Sequence, residues 1–210
     1  MNASTSLKAA PSSIELRIGG LVRLSTCDWP GELVATVFCQ GCPWQCSYCH
    51  NTHLLPSRGA DQIAWQDVLA FLKTRRGLLD GVVFSGGEPT LQSDLPPAIE
   101  AVRALGFRIG LHTAGPYPDR LARILPLLDW IGFDVKAPFD DYDRITGVRG
   151  SGDSAVESLK LVLASGLAVD IRTTVHPRLL DEQALDRLAT DLVALGAGPT
   201  RRQQFRPGGI

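Results

Sequence analysis

Three cysteines of this chain follow a spacing that is typical of metal or cluster ligands. Residues 39–51 read CQGCPWQCSYCHN, in which Cys42, Cys46 and Cys49 form the pattern C-x3-C-x2-C. Cysteine thiolates bind zinc, hold iron–sulfur clusters or act as redox pairs. A tetrahedral zinc ion needs four ligands, so the regular set of three leaves the identity of a fourth ligand open.

Zinc is one interpretation of this spacing. Structural zinc usually takes two C-x2-C pairs that are well separated in sequence, whereas the cysteine outside this segment, Cys27, is isolated. The four cysteines within residues 39–49 could wrap one ion, or His50 or His53 could complete the set. A zinc-binding adaptor without catalytic activity therefore stays open on spacing alone.

An iron–sulfur cluster is the second interpretation. Three thiolates on a four-iron cluster leave one iron open, and an open coordination position distinguishes a catalytic metal site from a structural one. The fourth ligand would then be a substrate or a cofactor. A thioredoxin-like redox pair fits less well, because Cys46 and Cys49 do not follow a predicted strand and open a helix.

Composition limits the class of protein. The 210 residues are enough for one domain, and we expect a disordered tail over 1–13 and a single domain over 14–210. The net charge of −1 shows no basic excess, so we expect no nucleic-acid partner. No apolar run predicts a membrane span or a signal peptide, which favours the reducing cytoplasm. Cys27 and Cys39, which have no assigned role, are predicted to be small buried residues.

Strand and helix patterns alternate along the chain. Strand-like segments, rich in β-branched residues, cover 14–25, 31–40, 81–87, 107–113, 130–136, 168–175 and part of 201–210. Helical spacing of apolar residues covers 61–76, 92–105, 117–127, 153–166 and 181–195. This alternation predicts an α/β fold with parallel strands. Because a closed eight-fold barrel takes about 250 residues, we expect a partial, open TIM-type barrel of about six βα units with an N-terminal β-hairpin.

Polar residues and glycines follow each predicted parallel strand. The segments concerned are 39–51, SGGEPT at 85–90, HTAG at 112–115, DVKAP at 134–138 and RTTVHP at 172–177. In parallel α/β folds the functional site lies at the carboxyl ends of the strands. We therefore expect these five segments to meet at one site.

At this point the sequence resembles a known family. The cysteine pattern with Tyr48 before its last cysteine resembles the radical S-adenosylmethionine (SAM) signature, and SGGEPTLQ at 85–92 and DVK at 134–136 resemble the glycyl-radical-enzyme activases. DWPG at 28–31 and QQFRP at 203–207 are similar to the activating proteins of anaerobic ribonucleoside-triphosphate reductase, in their long form. The resemblance covers about residues 15–207. An activase of the pyruvate formate-lyase type and a small-molecule radical SAM enzyme stay open as alternatives.

The resemblance implies roles for individual residues. Cys42, Cys46 and Cys49 would bind three irons of one [4Fe–4S] cluster, and SAM would chelate the fourth iron. No catalytic residue is expected beyond the cluster and SAM. The expected SAM-binding residues are Tyr48 and His50 by the adenosyl group, Gly86, Gly87 and Glu88 by the methionine amino group, Asp134 and Lys136 by the methionine end, and also Thr113, Arg172 and His176.

The resemblance also implies a reaction and partners. A reduced cluster would cleave SAM to methionine and a 5′-deoxyadenosyl radical, which would take a hydrogen atom from a backbone glycine of the partner enzyme. The expected partner is anaerobic ribonucleotide reductase, and the expected electron donor is flavodoxin or ferredoxin. One departure stands out: formate-lyase activases carry an Asp that helps hold a monovalent cation where this chain has His112, which puts such a cation in doubt.

Overall fold

The computed structural model describes residues 14–206, so the tail expected over 1–13 and the last residues of the expected domain lie outside the described residues. The strands are β1 (Ile18–Ser25), β2 (Val34–Cys39), β3 (Gly81–Gly86), β4 (Arg108–Thr113), β5 (Trp130–Asp134), β6 (Ala168–Val175) and β7 (Arg201–Gln204). The α-helices are α1 (Trp65–Lys73), α2 (Leu95–Ala104), α3 (Pro118–Ile124), α4 (Tyr142–Thr146), α5 (Ser151–Ala164) and α6 (Glu182–Ala194).

The seven strands form one sheet in the order β1-β2-β3-β4-β5-β6-β7. β1 pairs antiparallel with β2, and every later neighbour pairs in parallel. Within residues 14–206 β1 and β7 do not pair, so the sheet is an open barrel. The predicted fold class, an open barrel with an N-terminal hairpin, is confirmed: β2 to β7 are six parallel strands, and β1 forms the hairpin with β2.

Alternate residues of each strand point to opposite faces of the sheet, and each face has its own core. Val82 and Phe84 belong to the large cluster between the sheet and its helices, whereas Val83 belongs to a small cluster on the other face. In that small cluster Trp29 stacks on Trp130 with 5.4 Å between ring centroids. Gly110 makes room for this pair, since a Cβ there would lie 2.9 Å from the Trp29 ring.

One helix was not predicted. α4 is only five residues long, too short for a periodic apolar pattern to identify, and it ends at Gly147 with φ of +71°. A glycine with left-handed backbone angles commonly ends a helix. Gly147 therefore indicates where α4 ends, whereas no residue of the sequence indicates where it begins. Among residues 14–206 no helix has the length and apolar character needed to cross a membrane.

Candidate active site

The carboxyl ends of the parallel strands surround a cavity of about 440 Å³. This cavity brings together nearly all of the residues that the sequence singled out. The predicted residues that line it are Cys42, Cys46, Tyr48, Cys49, His50, Gly86, Gly87, Glu88, Thr113, Asp134, Lys136 and Arg172. His176 is not among the lining residues. The expectation that the strand ends meet at one site is confirmed.

The three thiols lie on a loop that is held from both sides by main-chain hydrogen bonds. On one side the Gly41 N–H donates to the Leu54 carbonyl over 2.8 Å. On the other side the N–H groups of Gln45 and Ser47 donate to the last carbonyls of α4, at 2.8 and 3.0 Å. The unpredicted helix α4 therefore supports the loop that carries the cysteines.

Gly86 and Gly87 are required by contact between two loops. A Cβ on Gly87 would lie 2.3 Å from the Gly41 carbonyl oxygen, and one on Gly86 would lie 2.4 Å from the Cys39 nitrogen. Gly86 also has φ of +114°, which disfavours any other residue. These glycines were expected to let the backbone approach a ligand; in the structure the group that approaches them is the start of the cysteine loop.

The Glu88 carboxylate is buried and connects two strand ends. Its Oε1 accepts hydrogen bonds from the N–H and hydroxyl of Thr90, at 3.0 and 2.6 Å, and from the hydroxyl of Thr113 at 2.9 Å. Its Oε2 accepts from the Ala114 N–H at 3.1 Å. Burial raises the pKa of Glu88, and these hydrogen bonds oppose the rise. Glu88 thus fixes the loop after β3 against the loop after β4.

Four side chains form a network of ion pairs and polar contacts on the cavity floor. Arg172 Nε donates to Asp134 Oδ1 at 3.1 Å, and Lys136 Nζ lies 3.5 Å from the other oxygen of that carboxylate. Burial raises the pKa of Asp134, but Arg172 and Lys136 outweigh it and bring the pKa down to about 2. Arg172 Nη1 also lies 3.2 Å from Nε2 of His112. Burial, followed by the charge of Arg172, lowers the pKa of His112 to about 4. The histidine is therefore neutral near pH 7.

A column of rings lies beside the cavity. Phe205 stacks on His50 with 5.0 Å between ring centroids, and its ring is tilted against that of His176 at 4.4 Å. The His176 ring in turn stacks on Tyr48 at 6.5 Å. The main-chain pairing of β7 with β6 extends as far as Phe205, whose N–H donates to the Val175 carbonyl at 3.1 Å. His176, expected at the SAM site, lies outside the cavity lining: its ring faces Tyr48 directly and reaches His50 through Phe205.

The two cysteines without an assigned role differ in exposure. Cys39 is fully buried at the end of β2, as predicted, and burial raises its pKa strongly. Cys27 is exposed, so the prediction that it is buried was wrong. It lies in the turn between β1 and β2, where its thiol is 3.4 Å from the Ser25 hydroxyl. A cysteine in a turn has no strand or helix face to bury it.

The donor set fits a thiolate-bound cluster. Cys42, Cys46 and Cys49 all line the cavity, with Lys136 and Glu88 on its other walls. Among residues 14–206 no three side chains of Cys, His, Asp or Glu converge closely enough for a single metal ion. Thiolates that bind separate irons of one cluster need not meet at one point. Burial raises the pKa of Cys42 to about 12, so binding there requires a strongly positive group to stabilise the thiolate.

Sequence reasoning missed several residues that line the cavity. Asp28 contributes its carbonyl, which lies 2.7 Å from His112 Nε2, and Ser85 places its hydroxyl 3.1 Å from His112 Nδ1. Gln203 of β7 also lines the wall. Ser85 and His112 lie within the predicted strand ends, but neither was assigned a binding role. In β7 the half-buried Gln203 stands between exposed residues, and this alternation is the signal that could have placed it toward the cavity.

Comparisons with known proteins agree with this geometry. The family model for the radical SAM superfamily matches residues 36–189. A protein of Methanocaldococcus jannaschii named as a glycyl-radical enzyme activating enzyme is 32% identical over 206 residues, which cover 90% of this chain and 80% of that protein. The pyruvate formate-lyase-activating enzyme of Clostridium pasteurianum is 31% identical over 183 residues, which cover 84% of this chain and 76% of the enzyme.

A solved structure shares the fold. The crystal structure of Streptococcus suis SuiB bound to S-adenosylmethionine matches with a TM-score of 0.61 and 16% identity. The match covers 80% of this chain and 39% of SuiB, so the chain spans about two fifths of that protein's length. At this identity the likeness concerns the fold alone.

Proposed function

The chain belongs to the radical SAM superfamily, among its glycyl-radical-enzyme activating enzymes, and on that premise we propose that it generates the glycyl radical of anaerobic ribonucleoside-triphosphate reductase. The observation that carries the proposal is the single cavity that joins three cysteines to Glu88 and Lys136. This family uses a [4Fe–4S] cluster and SAM, so membership of it gives no support to the alternative of a zinc-binding adaptor.

The residues of the cavity are proposed to hold both groups. Cys42, Cys46 and Cys49 would bind the cluster, and Lys136 and Glu88 would lie at the methionine end of SAM. When bound, the cluster and SAM would supply the 5′-deoxyadenosyl radical chemistry that removes one hydrogen atom from a glycine, with flavodoxin or ferredoxin as the proposed source of the one electron needed.

The protein's own residues would position the cluster and SAM and enclose them. The buried Glu88 carboxylate fixes two strand ends relative to each other, so the cavity keeps its shape before any ligand binds. The ion pair of Asp134 with Arg172 keeps that carboxylate ionised and leaves the Lys136 ammonium on the cavity wall. A carboxylate of the ligand would be paired by that ammonium. The ring of Tyr48 is backed by His176, which holds one side of the cavity in place.

Two features of the sequence support the ribonucleotide reductase as partner. The turn at 28–31 supplies Trp29 to the core below the cavity and the Asp28 carbonyl to its floor. The segment 203–205 supplies a cavity wall and the Phe205 ring. Both segments carry the resemblance to activating proteins of that reductase. The second candidate is an activase of pyruvate formate-lyase, which the Clostridium pasteurianum relative favours.

Activation assays distinguish the two partners. The protein is reconstituted anaerobically with iron and sulfide, reduced with dithionite, and incubated with SAM and either purified anaerobic ribonucleotide reductase or purified pyruvate formate-lyase. Electron paramagnetic resonance of the partner detects a glycyl radical, and chromatography measures 5′-deoxyadenosine. We expect a radical on the reductase. A radical on pyruvate formate-lyase alone would select the second candidate, and the absence of both radical and 5′-deoxyadenosine would reject activase function.

A further inference from the structure

Among the described residues, the main-chain groups on the outer edge of β7 have no hydrogen-bond partner. Within residues 14–206 no strand pairs with that edge. The Phe205 N–H donates to the Val175 carbonyl of β6. Successive residues of a strand direct their main-chain groups to opposite sides. The N–H and C=O groups of Arg202 and Gln204 therefore point away from β6, toward the open side of the barrel.

A groove runs along this edge and opens into the cysteine cavity. It has a volume of about 740 Å³ and is lined on one side by all four residues of β7. Its lining also includes Cys27, His50 and Asn51. The groove and the cavity share the lining residues Asp28, His50, Asn51, Arg172, Thr174 and Gln203. A chain that lies in the groove therefore has direct access to the cavity.

The groove is positively charged. Its lining includes Arg201, Arg202, Arg206 and Arg172, and Asp28 is its one acidic residue among the described residues. Arg201 pairs with Asp170 and Arg172 with Asp134, so the excess positive charge comes from Arg202 and Arg206. The Arg202 pair with Glu182, at 3.6 Å, is open to solvent and weak. None of the ion pairs found in the described part of the chain involves Arg206. A segment that carries carboxylates is complementary to this surface.

We propose that the target loop of the glycyl-radical enzyme binds as an extended strand to the free edge of β7, and so delivers its glycine from the groove into the cavity. This inference rests on the proposed activase function. Glycine has no side chain, so a site that selects a glycine has to recognise the main chain and the residues on either side of it. Strand addition to a sheet edge supplies that kind of recognition. The arginines favour a loop with an acidic residue near its glycine.

Hydrogen exchange of the unaltered protein tests the proposal directly. Amide exchange of the reconstituted protein with SAM is followed by mass spectrometry, alone and with purified anaerobic ribonucleotide reductase or purified pyruvate formate-lyase, whichever the wild type activates. We expect the amides of Arg202 and Gln204 to exchange at least tenfold more slowly with the partner bound. Activation of a partner without that protection would overturn the docking proposal and leave the activase function intact.

A matched pair of variants isolates the main-chain contact. Gln204→Pro removes one outward N–H and leaves the pairing with β6 in place, whereas Gln204→Ala removes the side chain and keeps the N–H. We expect Gln204→Pro to weaken partner affinity at least tenfold and Gln204→Ala to stay within twofold of wild type, by surface-immobilised binding. Equal affinities for the two variants would contradict strand addition. A wild-type dimer in sedimentation that Gln204→Pro dissociates and Gln204→Ala does not would also overturn it, because a second copy would then occupy the groove.

Discussion

The guanidinium of Arg172 crosses the face of Gly132 to reach His112, with 3.2 Å between Arg172 Nη1 and His112 Nε2. This contact exists because β5 has no side chain at Gly132, where a Cβ would lie 2.8 Å from the His112 ring and 2.9 Å from the Arg172 guanidinium. The resemblance put a monovalent cation in doubt at His112. The structure places the fixed positive charge of Arg172 beside that histidine.

Gly132→Ala should disrupt this arrangement. The added methyl would push the guanidinium away from His112 and lengthen its bond to Asp134. We expect a loss of about 1–3 kcal/mol in the free energy of unfolding, as for other overpacked sites, measured by urea denaturation. Gly198→Ala is the matched control, since a Cβ there meets nothing within 4 Å. Equal stability of the two variants would show that the network accommodates the methyl.

The lowered pKa of His112 predicts a loss of stability in mild acid. The folded-state pKa is about 4, below the ordinary value of 6.5. Between those pH values the unfolded chain binds a proton that the folded protein does not. The contribution of His112 to the free energy of unfolding is therefore complete above pH 6.5 and is lost as the pH falls toward 4. One such group changes the free energy of unfolding by at most about 1.4 kcal/mol per pH unit.

His112→Gln tests this assignment, because glutamine does not titrate. We expect the difference in unfolding free energy between wild type and variant to change between pH 6.5 and 4 and to be constant from pH 7 to 8. Asp134 titrates near pH 2, so its contribution falls outside this window. A difference that does not vary between pH 6.5 and 4 would contradict a neutral, enclosed His112.

Glu88→Gln should destabilise the protein even without SAM. The amide would place an N–H group against donors from Thr90, Thr113 or Ala114 that now bind the carboxylate. A buried donor left without an acceptor costs about 1–3 kcal/mol. Thermal unfolding in the absence of SAM measures the loss, with the exposed Glu100→Gln as a control for the same chemical change. A role confined to SAM binding would leave the ligand-free melting temperature unchanged.

Replacement of single cysteines should separate cluster ligands from bystanders. We expect Ser at Cys42, Cys46 or Cys49 to abolish the four-iron absorption after reconstitution, because each thiolate is proposed to bind its own iron. Cys27→Ser should retain wild-type iron and sulfide content, since Cys27 lies in the β1–β2 turn and does not line the cavity. Loss of the cluster in Cys27→Ser, or its retention in Cys46→Ser, would refute the proposed ligand set.

The sequence by itself determined the architecture and most of the cavity. Alternating periods of two and 3.6 residues are local properties, so they predicted β2 to β7 and five of the helices within a few residues. Parallel connection then requires the ends of successive strands to lie together, which is why Cys46, Glu88 and Lys136 meet as expected.

Only the tertiary structure decided which distant segments touch. No local pattern indicates that α4 holds the cysteine loop, that Gly87 packs against Gly41, or that the Phe205 ring lies between the rings of His50 and His176. These contacts join residues separated by up to 155 positions, from His50 to Phe205. They depend on how the sheet curves and where its edge remains open. That curvature arises from the packing of all the strands together, so no single segment encodes it.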